Sequence, residues 1–224
     1  MTARWSEEDG GRAYLRAIPV LTGTAPEFDL DDTPDDPVIM FTSWLRHAVQ
    51  AGVPEPHAMT LSTVDGRGMP QARVLILKAV DAARWHFAVN TVSGKGRDLG
   101  ANPVAALTFY WPSLVRQVRV FGPVVNDGAA YSAADFLARP LDSRAMALTR
   151  RQSGPLVDPA ELEHEFDKAR VELDRNPELV PDEWISYAVA PVEVEFWQGA
   201  PDRRHRRLRY QRVDDGWELS WLWP

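Results

Sequence analysis

Apolar and polar positions change their period several times along the chain. After Asp36-Pro37, a helix-start pair, Ile39, Met40, Phe41, Trp44, Leu45, Ala48 and Val49 recur mainly at i, i+3 and i+4 until Gly52, which predicts an amphipathic helix lying against a core. The period then shortens. Apolar runs at Ala58–Val64, residues 72–80 and residues 85–89 read as strands, with turn residues at 65–68 between the first two. Residues 93–102 predict a short helix closed by Asn102-Pro103, followed by strands at Val104–Trp111 and residues 116–125. Helical spacing returns at 131–138, 143–150 and 159–176, the last with Leu162, Phe166, Ala169 and Leu173 along one side. The chain ends in strand patterns at 185–196, Arg206–Val213 and 217–222, the last two joined at Asp214-Asp215-Gly216, a hairpin signal.

Strands separated by short turns pair antiparallel. The helices fall at the start and late in the chain and do not alternate with strands, which disfavours a doubly wound nucleotide fold. The expected class is mainly β with flanking helices, an antiparallel barrel-like sheet over residues 36–224. Residues 1–35 form a lead-in, rich in Asp, Pro and Thr from 22 to 36 and without periodicity, expected to be partly flexible.

The 224 residues contain no cysteine, so disulfides, thiolate metal sites and cysteine nucleophiles are excluded. A formal net charge of −7 argues against wholesale binding to nucleic acid or anionic membrane. No run approaches the roughly 18 apolar residues of a membrane span, and the polar, acidic first residues do not resemble a signal peptide, so a cytoplasmic location is expected. The nine tryptophans read mostly as core or interface residues, with one or two free to stack on a flat cofactor. His47, His57, His86, His164 and His205 show no metal-ligand spacing, and Ser153 lacks the G-x-S-x-G context of a hydrolase elbow. The chemistry is therefore expected to belong to an organic cofactor.

Against the acidic background, the basic segments carry the most information. Residues 203–209 read Arg-Arg-His-Arg-Arg-Leu-Arg. If extended, they place Arg203, His205, Arg207 and Arg209 on one face, either as a solvated basic edge or as a row facing an anion. Arg73 and Lys78 lie five apart, facing opposite sides of a regular strand. Ser93-Gly94-Lys95-Gly96 precedes a helix and reads either as a plain Gly-rich turn or as a phosphate seat built from backbone N–H groups.

Taken together, these segments resemble the pyridoxamine 5'-phosphate oxidase family from about Asp36 to Pro224. The resemblance rests on Ala72-Arg73-Val74-Leu75-Ile76-Leu77-Lys78, on Tyr110-Trp111-Pro112 with Arg116-Gln117-Val118, on Arg139-Pro140 with Ser143, and on Gln152-Ser153. Glu195-Phe196-Trp197-Gln198-Gly199, the 203–210 segment and the closing Leu222-Trp223-Pro224 complete it. It implies an FMN-binding split β-barrel working as a homodimer, with FMN at the subunit interface. It further implies oxidation of pyridoxine or pyridoxamine 5'-phosphate to pyridoxal 5'-phosphate with O2 as acceptor. By the same resemblance, Arg73 and Lys95 hold the FMN phosphate, and Gln117, Gln152, Ser153, Trp197 and Arg207 also touch the flavin. Lys78, Arg139 and Ser143 hold the substrate phosphate, Arg203 and His205 sit over the reacting carbon, and Glu55 falls near the site.

The chain also departs from the family pattern. Gly94 stands where an Arg commonly reaches the FMN phosphate, Ala88-Val89 replace a Tyr-Thr pair, and Asp135 replaces a Tyr that helps bind the substrate phosphate. A carboxylate about 4 Å from phosphate costs about 1 kcal/mol even in water. Either Asp135 points away, then, or the substrate is another reduced heterocycle, as in the phenazine-pathway branch. A non-catalytic binder of flavin or pyridoxal phosphate is the remaining alternative.

Overall fold

The computed structural model describes residues 5–8, 10–28, 33–81 and 84–224. Among the described residues, two helices precede the sheet: α1 (Arg12–Ala17), which buries no residue, and α2 (Pro37–Gln50). Because α1 has no buried face, it leaves no apolar stripe in the sequence, and it was not expected. In α2, the Asp36 carboxylate accepts from the Val38 N–H at 2.7 Å, and Met40, Phe41, Trp44 and Ala48 are buried.

The strands are β1 (Ala58–Val64), β2 (Pro70–Ile76), β3 (Ala79–Val80), β4 (Trp85–Asn90), β5 (Val104–Trp111), β6 (Arg116–Asn126), β7 (Trp184–Val189), β8 (Glu193–Gln198), β9 (Arg206–Val213) and β10 (Gly216–Trp221). Between them lie α3 (Gly94–Ala101), α4 (Ala129–Leu137), α5 (Leu141–Leu148) and α6 (Pro159–Arg175). Every pairing is antiparallel, in the order β10-β9-β8-β6-β5-β1-β2, with β7 joined to β6 and β4, and β3 to β4.

The split lies within β6. Its residues from Arg116 to Phe121 pair with β8, and those from Val124 to Asn126 pair with β7. Gly122 marks the change of partner, since a Cβ there would stand 2.2 Å from the Ala190 carbonyl oxygen. This junction also corrects the expected single strand at 185–196. The Ala190 N–H bonds to Pro123 O and the Val192 N–H to Phe121 O, each at 2.9 Å, so the chain crosses from β7 to β8 around the β6 bend. Residues 72–80 are likewise two strands. The Leu77 N–H bonds to His57 O and the Lys78 N–H to His86 O, moving the chain from β1 to β4.

Leu61, Leu107, Val120, Val194 and Tyr210 stand in cross-strand register on the inner face, all essentially buried. A second core gathers Phe136, Ala145, Leu148, Leu173 and Trp184 where α4, α5 and α6 meet β7. The lead-in straps across the barrel. Buried Phe28 packs on Trp44 and Trp221, and the Pro26, Glu27, Phe28 and Pro34 carbonyls accept from Gln198, Arg116, Arg206 and Tyr210. Burial of Arg116 in this region holds its guanidinium down to about 10. Among the described residues, no helix is long and apolar enough to cross a membrane.

Candidate functional site

The sequence-expected residues fall into two clusters. The first surrounds a cavity of about 300 Å³ lined by Lys78, Lys95, Arg139, Ser143 and Gln152, with Asn90, Met146 and Trp184 among its other walls. Lys78 reaches it because the chain leaves regular strand after Ile76, so the opposite-face expectation for Arg73 and Lys78 does not apply.

Arg73 lies in register with Leu61, on the inner face of the edge strand β2. Its Nη1 donates to Thr63 Oγ1 at 2.6 Å and its Nη2 to Asp98 Oδ2 at 3.3 Å, while the Thr63 hydroxyl donates to the same carboxylate at 2.7 Å. Burial, and secondarily the Arg73 charge, hold the Lys95 amine below its usual value. The desolvated Lys95 amine, with the Arg73 guanidinium beside it, is suited to a phosphate. Beside it, Ser93 caps α3 by accepting from the Gly96 N–H at 3.2 Å. Ser153, at φ 68°, accepts from the Gly94 N–H at 3.2 Å. Gln152 donates from Nε2 to Met146 O at 2.7 Å, and its Oε1 is buried with no partner among the described residues. A buried acceptor of this kind calls for a donor from a bound molecule.

On the same cavity, Arg139 donates from Nη2 to Ser143 O at 3.0 Å, and its guanidinium lies 3.9 Å from the centre of the Trp184 ring. Burial lowers the Arg139 pKa, and the Asp135 charge opposes that shift. Asp135 does not turn away from this group. Its Oδ2 accepts from Trp184 Nε1 at 2.9 Å, and its Oδ1 stands 3.9 Å from Lys78 Nζ.

The second cluster occupies the outer sheet face, where Gln117, Trp197 and Arg207 are successive partners across β6, β8 and β9. The His205 ring lies 5.1 Å from that of Trp197. Its Nδ1 accepts from the Ala200 N–H at 3.0 Å, which leaves Nε2 as the N–H-bearing nitrogen. Arg207 donates from Nε to Glu195 Oε1 at 2.8 Å, and Arg119 from Nη1 to Glu195 Oε2 at 3.2 Å. Hydrogen bonding to Glu195 raises the Arg207 pKa. Sequence reading gave Glu195 no role, although strand parity could have found it, since Glu195 is the β8 partner of Arg209 on the same outer face.

The expected extended row from Arg203 to Arg209 is corrected. Strand β9 begins at Arg206, and Arg203 sits in a turn at φ 67° with its N–H on Ala200 O. Arg207 and Arg209 keep the shared face, His205 joins them through its ring contact with Trp197, and Arg203 is exposed, with its carbonyl accepting from the His205 N–H at 2.9 Å. Glu55 lies in the turn before β1, at φ 44°, and does not line the cavity.

The cavity lies outside the barrel core, since its walls Ala88 and Asn90 alternate along β4 with the core residues Phe87 and Val89, and it lies apart from the second cluster. Arg73 on β2 and Arg207 on β9 are separated by β1, β5, β6 and β8, about 24 Å along the curled surface. Gln117, Trp197, His205 and Arg207 are absent from the cavity lining. Tyr110, the β5 partner of Gln117, and Phe121 are exposed on the same outer face, as is Val74 at the far edge on β2.

Comparison with known proteins shows family relationship over most of the chain. Residues 45–172 match the family described as pyridoxamine 5'-phosphate oxidase, and residues 184–224 match the pyridoxine 5'-phosphate oxidase C-terminal dimerisation region. The pyridoxine/pyridoxamine 5'-phosphate oxidase of Thermosynechococcus vestitus is 46% identical over 193 residues, covering 86% of this chain and 91% of the relative. That of Paraburkholderia phytofirmans is 42% identical over 198 residues, covering 88% and 92%. Among solved structures, PhzG from Burkholderia lata, in complex with tetrahydrophenazine-1-carboxylic acid, superposes with a TM-score of 0.82 at 28% identity, covering 90% of this chain and all of that one.

Proposed function

This chain belongs to the pyridoxamine 5'-phosphate oxidase family, and from that premise we propose that it is an FMN-dependent oxidase converting pyridoxine or pyridoxamine 5'-phosphate to pyridoxal 5'-phosphate. The observation that carries the reading is the first cavity. It brings together Lys95 beside Arg73, a second cation group at Lys78 and Arg139, and the unpartnered Gln152 Oε1, which suits the donors and anions of a flavin and a phosphorylated substrate.

The residues fit FMN. Arg73 and Lys95 would hold its phosphate, with the Ser153 hydroxyl at the Gly94 N–H beside them, and Gln152 Oε1 would accept from a ring N–H. When bound, FMN supplies two-electron redox chemistry with O2 as the final acceptor and hydrogen peroxide as the second product. Lys78, Arg139 and Ser143 would fix the substrate phosphate, and so the orientation of the ring. His205 would present its Nε2–H, and Arg203 would have to swing in from its turn to meet the substrate.

Because Gln117, Trp197, His205 and Arg207 are absent from the cavity lining, and Arg207 stands beyond four intervening strands from Arg73, we read the working site as shared by two subunits of a homodimer. One would supply the cavity and its partner the Trp197 face. The exposed Val74, Tyr110 and Phe121 and the dimerisation-region match support burial of this face against a second copy. A second reading, oxidation of a reduced heterocyclic carboxylic acid, is favoured by Asp135 beside Lys78 and by the likeness to PhzG.

Anaerobic mixing of the FMN-loaded protein with pyridoxine 5'-phosphate tests the proposal. The visible flavin band should bleach and return on admitting air. A band that survives both B6 phosphates but bleaches with a dihydrophenazine carboxylic acid would move the assignment to the second reading.

A further inference from the structure

We propose that Asp135 sets the affinity of this site for its substrate, as an internal counter-ion that competes with the substrate phosphate for Lys78. The inference rests on the reading that Lys78 and Arg139 receive the substrate's anionic end. The geometry supplies the competition. Asp135 is fixed in place by the Trp184 indole N–H at 2.9 Å, and Trp184 in turn lies under the Arg139 guanidinium, 3.9 Å away. One carboxylate oxygen is thereby held 3.9 Å from Lys78 Nζ, with the Asp135 side chain only 12% exposed and that of Lys78 36%.

A carboxylate so placed leaves the two cations with a net charge of about one towards an arriving dianion. It also offers Lys78 a partner whenever the site holds no anion. Substrate and product carry the same phosphate, so Asp135 weakens both alike. This uniform effect raises KM and speeds product departure without touching the reacting carbon. The 3.9 Å separation is an ion-pair distance rather than a tight hydrogen bond, so Lys78 can be drawn off by a stronger anion.

Asp135→Asn keeps an oxygen for the Trp184 N–H and removes the charge, and Asp135→Ser is the smaller second variant. With FMN-loaded protein, the equilibrium Kd for pyridoxal 5'-phosphate, the inhibition constant of inorganic phosphate and the KM for pyridoxine 5'-phosphate should all fall about tenfold in either variant. FMN loading should be unchanged, and kcat should be equal or lower. Lys78→Met should weaken pyridoxal 5'-phosphate binding, and by a larger factor in the Asp135→Asn background than in the wild type. Unchanged or weaker binding in the Asp135 variants, with Lys78→Met still harmful, would overturn the role of Asp135 while leaving the phosphate site standing. If Lys78→Met and Arg139→Met leave all three constants unchanged, the phosphate reading itself fails and the proposal with it.

Discussion

Arg207 donates its Nε–H to Oε1 of Glu195 at 2.8 Å, and the receiving carboxylate is buried although it lies on the outer face of the sheet. The other carboxylate oxygen takes Arg119, so one buried anion fixes two guanidinium groups. Glu195→Gln retains the shape and removes the charge. It should lower stability by about 2 kcal/mol, because two arginines are left side by side with a neutral partner. FMN affinity should fall with it, as Arg207 loses the bond that aims it. Thermal melting and FMN titration read the two effects separately, and an unchanged melting midpoint would contradict the structural role.

Lys95 gives a pH dependence with a definite sign. Burial and Arg73 hold its amine below the usual 10.5, so in the flavin-free protein it loses its proton earlier than an unfolded chain would. Between the lowered value and 10.5 the unfolded state binds more protons, and the contribution of this group to stability therefore rises with pH. Phosphate binding needs the charged amine and follows the opposite course. FMN affinity should weaken as pH climbs through the alkaline range, and Lys95→Met should bind more weakly while the wild-type amine is charged and lose this alkaline step. Fluorescence titration of FMN across the alkaline range is the check.

The bend in β6 leaves no room for a side chain. Gly122→Ala places a methyl 2.2 Å from Ala190 O, an atom of the backbone that cannot move without disturbing the β7–β8 crossing. The expected cost is at least 1–3 kcal/mol, about that of an overpacked core. Denaturant unfolding measures it, and a variant as stable as the parent would show that the split tolerates a side chain.

The lead-in should divide into a dispensable part and a structural part. Removing residues 1–22 spares the contacts of Pro26, Glu27, Phe28 and Pro34 and should leave stability and FMN affinity nearly unchanged. Phe28→Ala, which empties a site between Trp44 and Trp221, should cost about 3–5 kcal/mol. Comparing the two melting midpoints settles where the strap begins to matter.

Much of the fold was legible because period and turn chemistry agree. Asp36-Pro37 caps α2 as its sequence implies, and Asp214-Asp215-Gly216 joins β9 to β10. The misses share a physical cause, which is a change of partner within an apolar run. Residues 72–80 and 185–196 stay hydrophobic while their hydrogen bonds pass to different strands, a tertiary event that side-chain pattern does not record. The lead-in lacks periodicity because its anchors are a single buried ring, Phe28, and backbone carbonyls, which carry no signature in residue type. At the candidate site, residue types were readable and their distribution was not. Nothing local in the sequence says that Arg73 and Arg207 end on opposite faces, and the left-handed turn at Arg203 breaks an alternation that seven residues in a row had suggested.

On the proposed arrangement, the Arg73–Lys95 cavity of one subunit and the Arg207–Trp197 face of another make one working site. That arrangement is tested most directly by mixing two inactive proteins. Lys95→Met with Arg73→Ala removes the phosphate seat from one, and Trp197→Ala with Arg207→Ala removes the outer-face cluster from the other. After co-refolding in equal amounts, half of the dimers pair unlike subunits, and each of these has one undamaged site of two. FMN binding capacity and oxidase activity should then return to about a quarter of the wild-type level. If every site were built within a single subunit, no dimer would contain an undamaged one, and mixing would restore nothing.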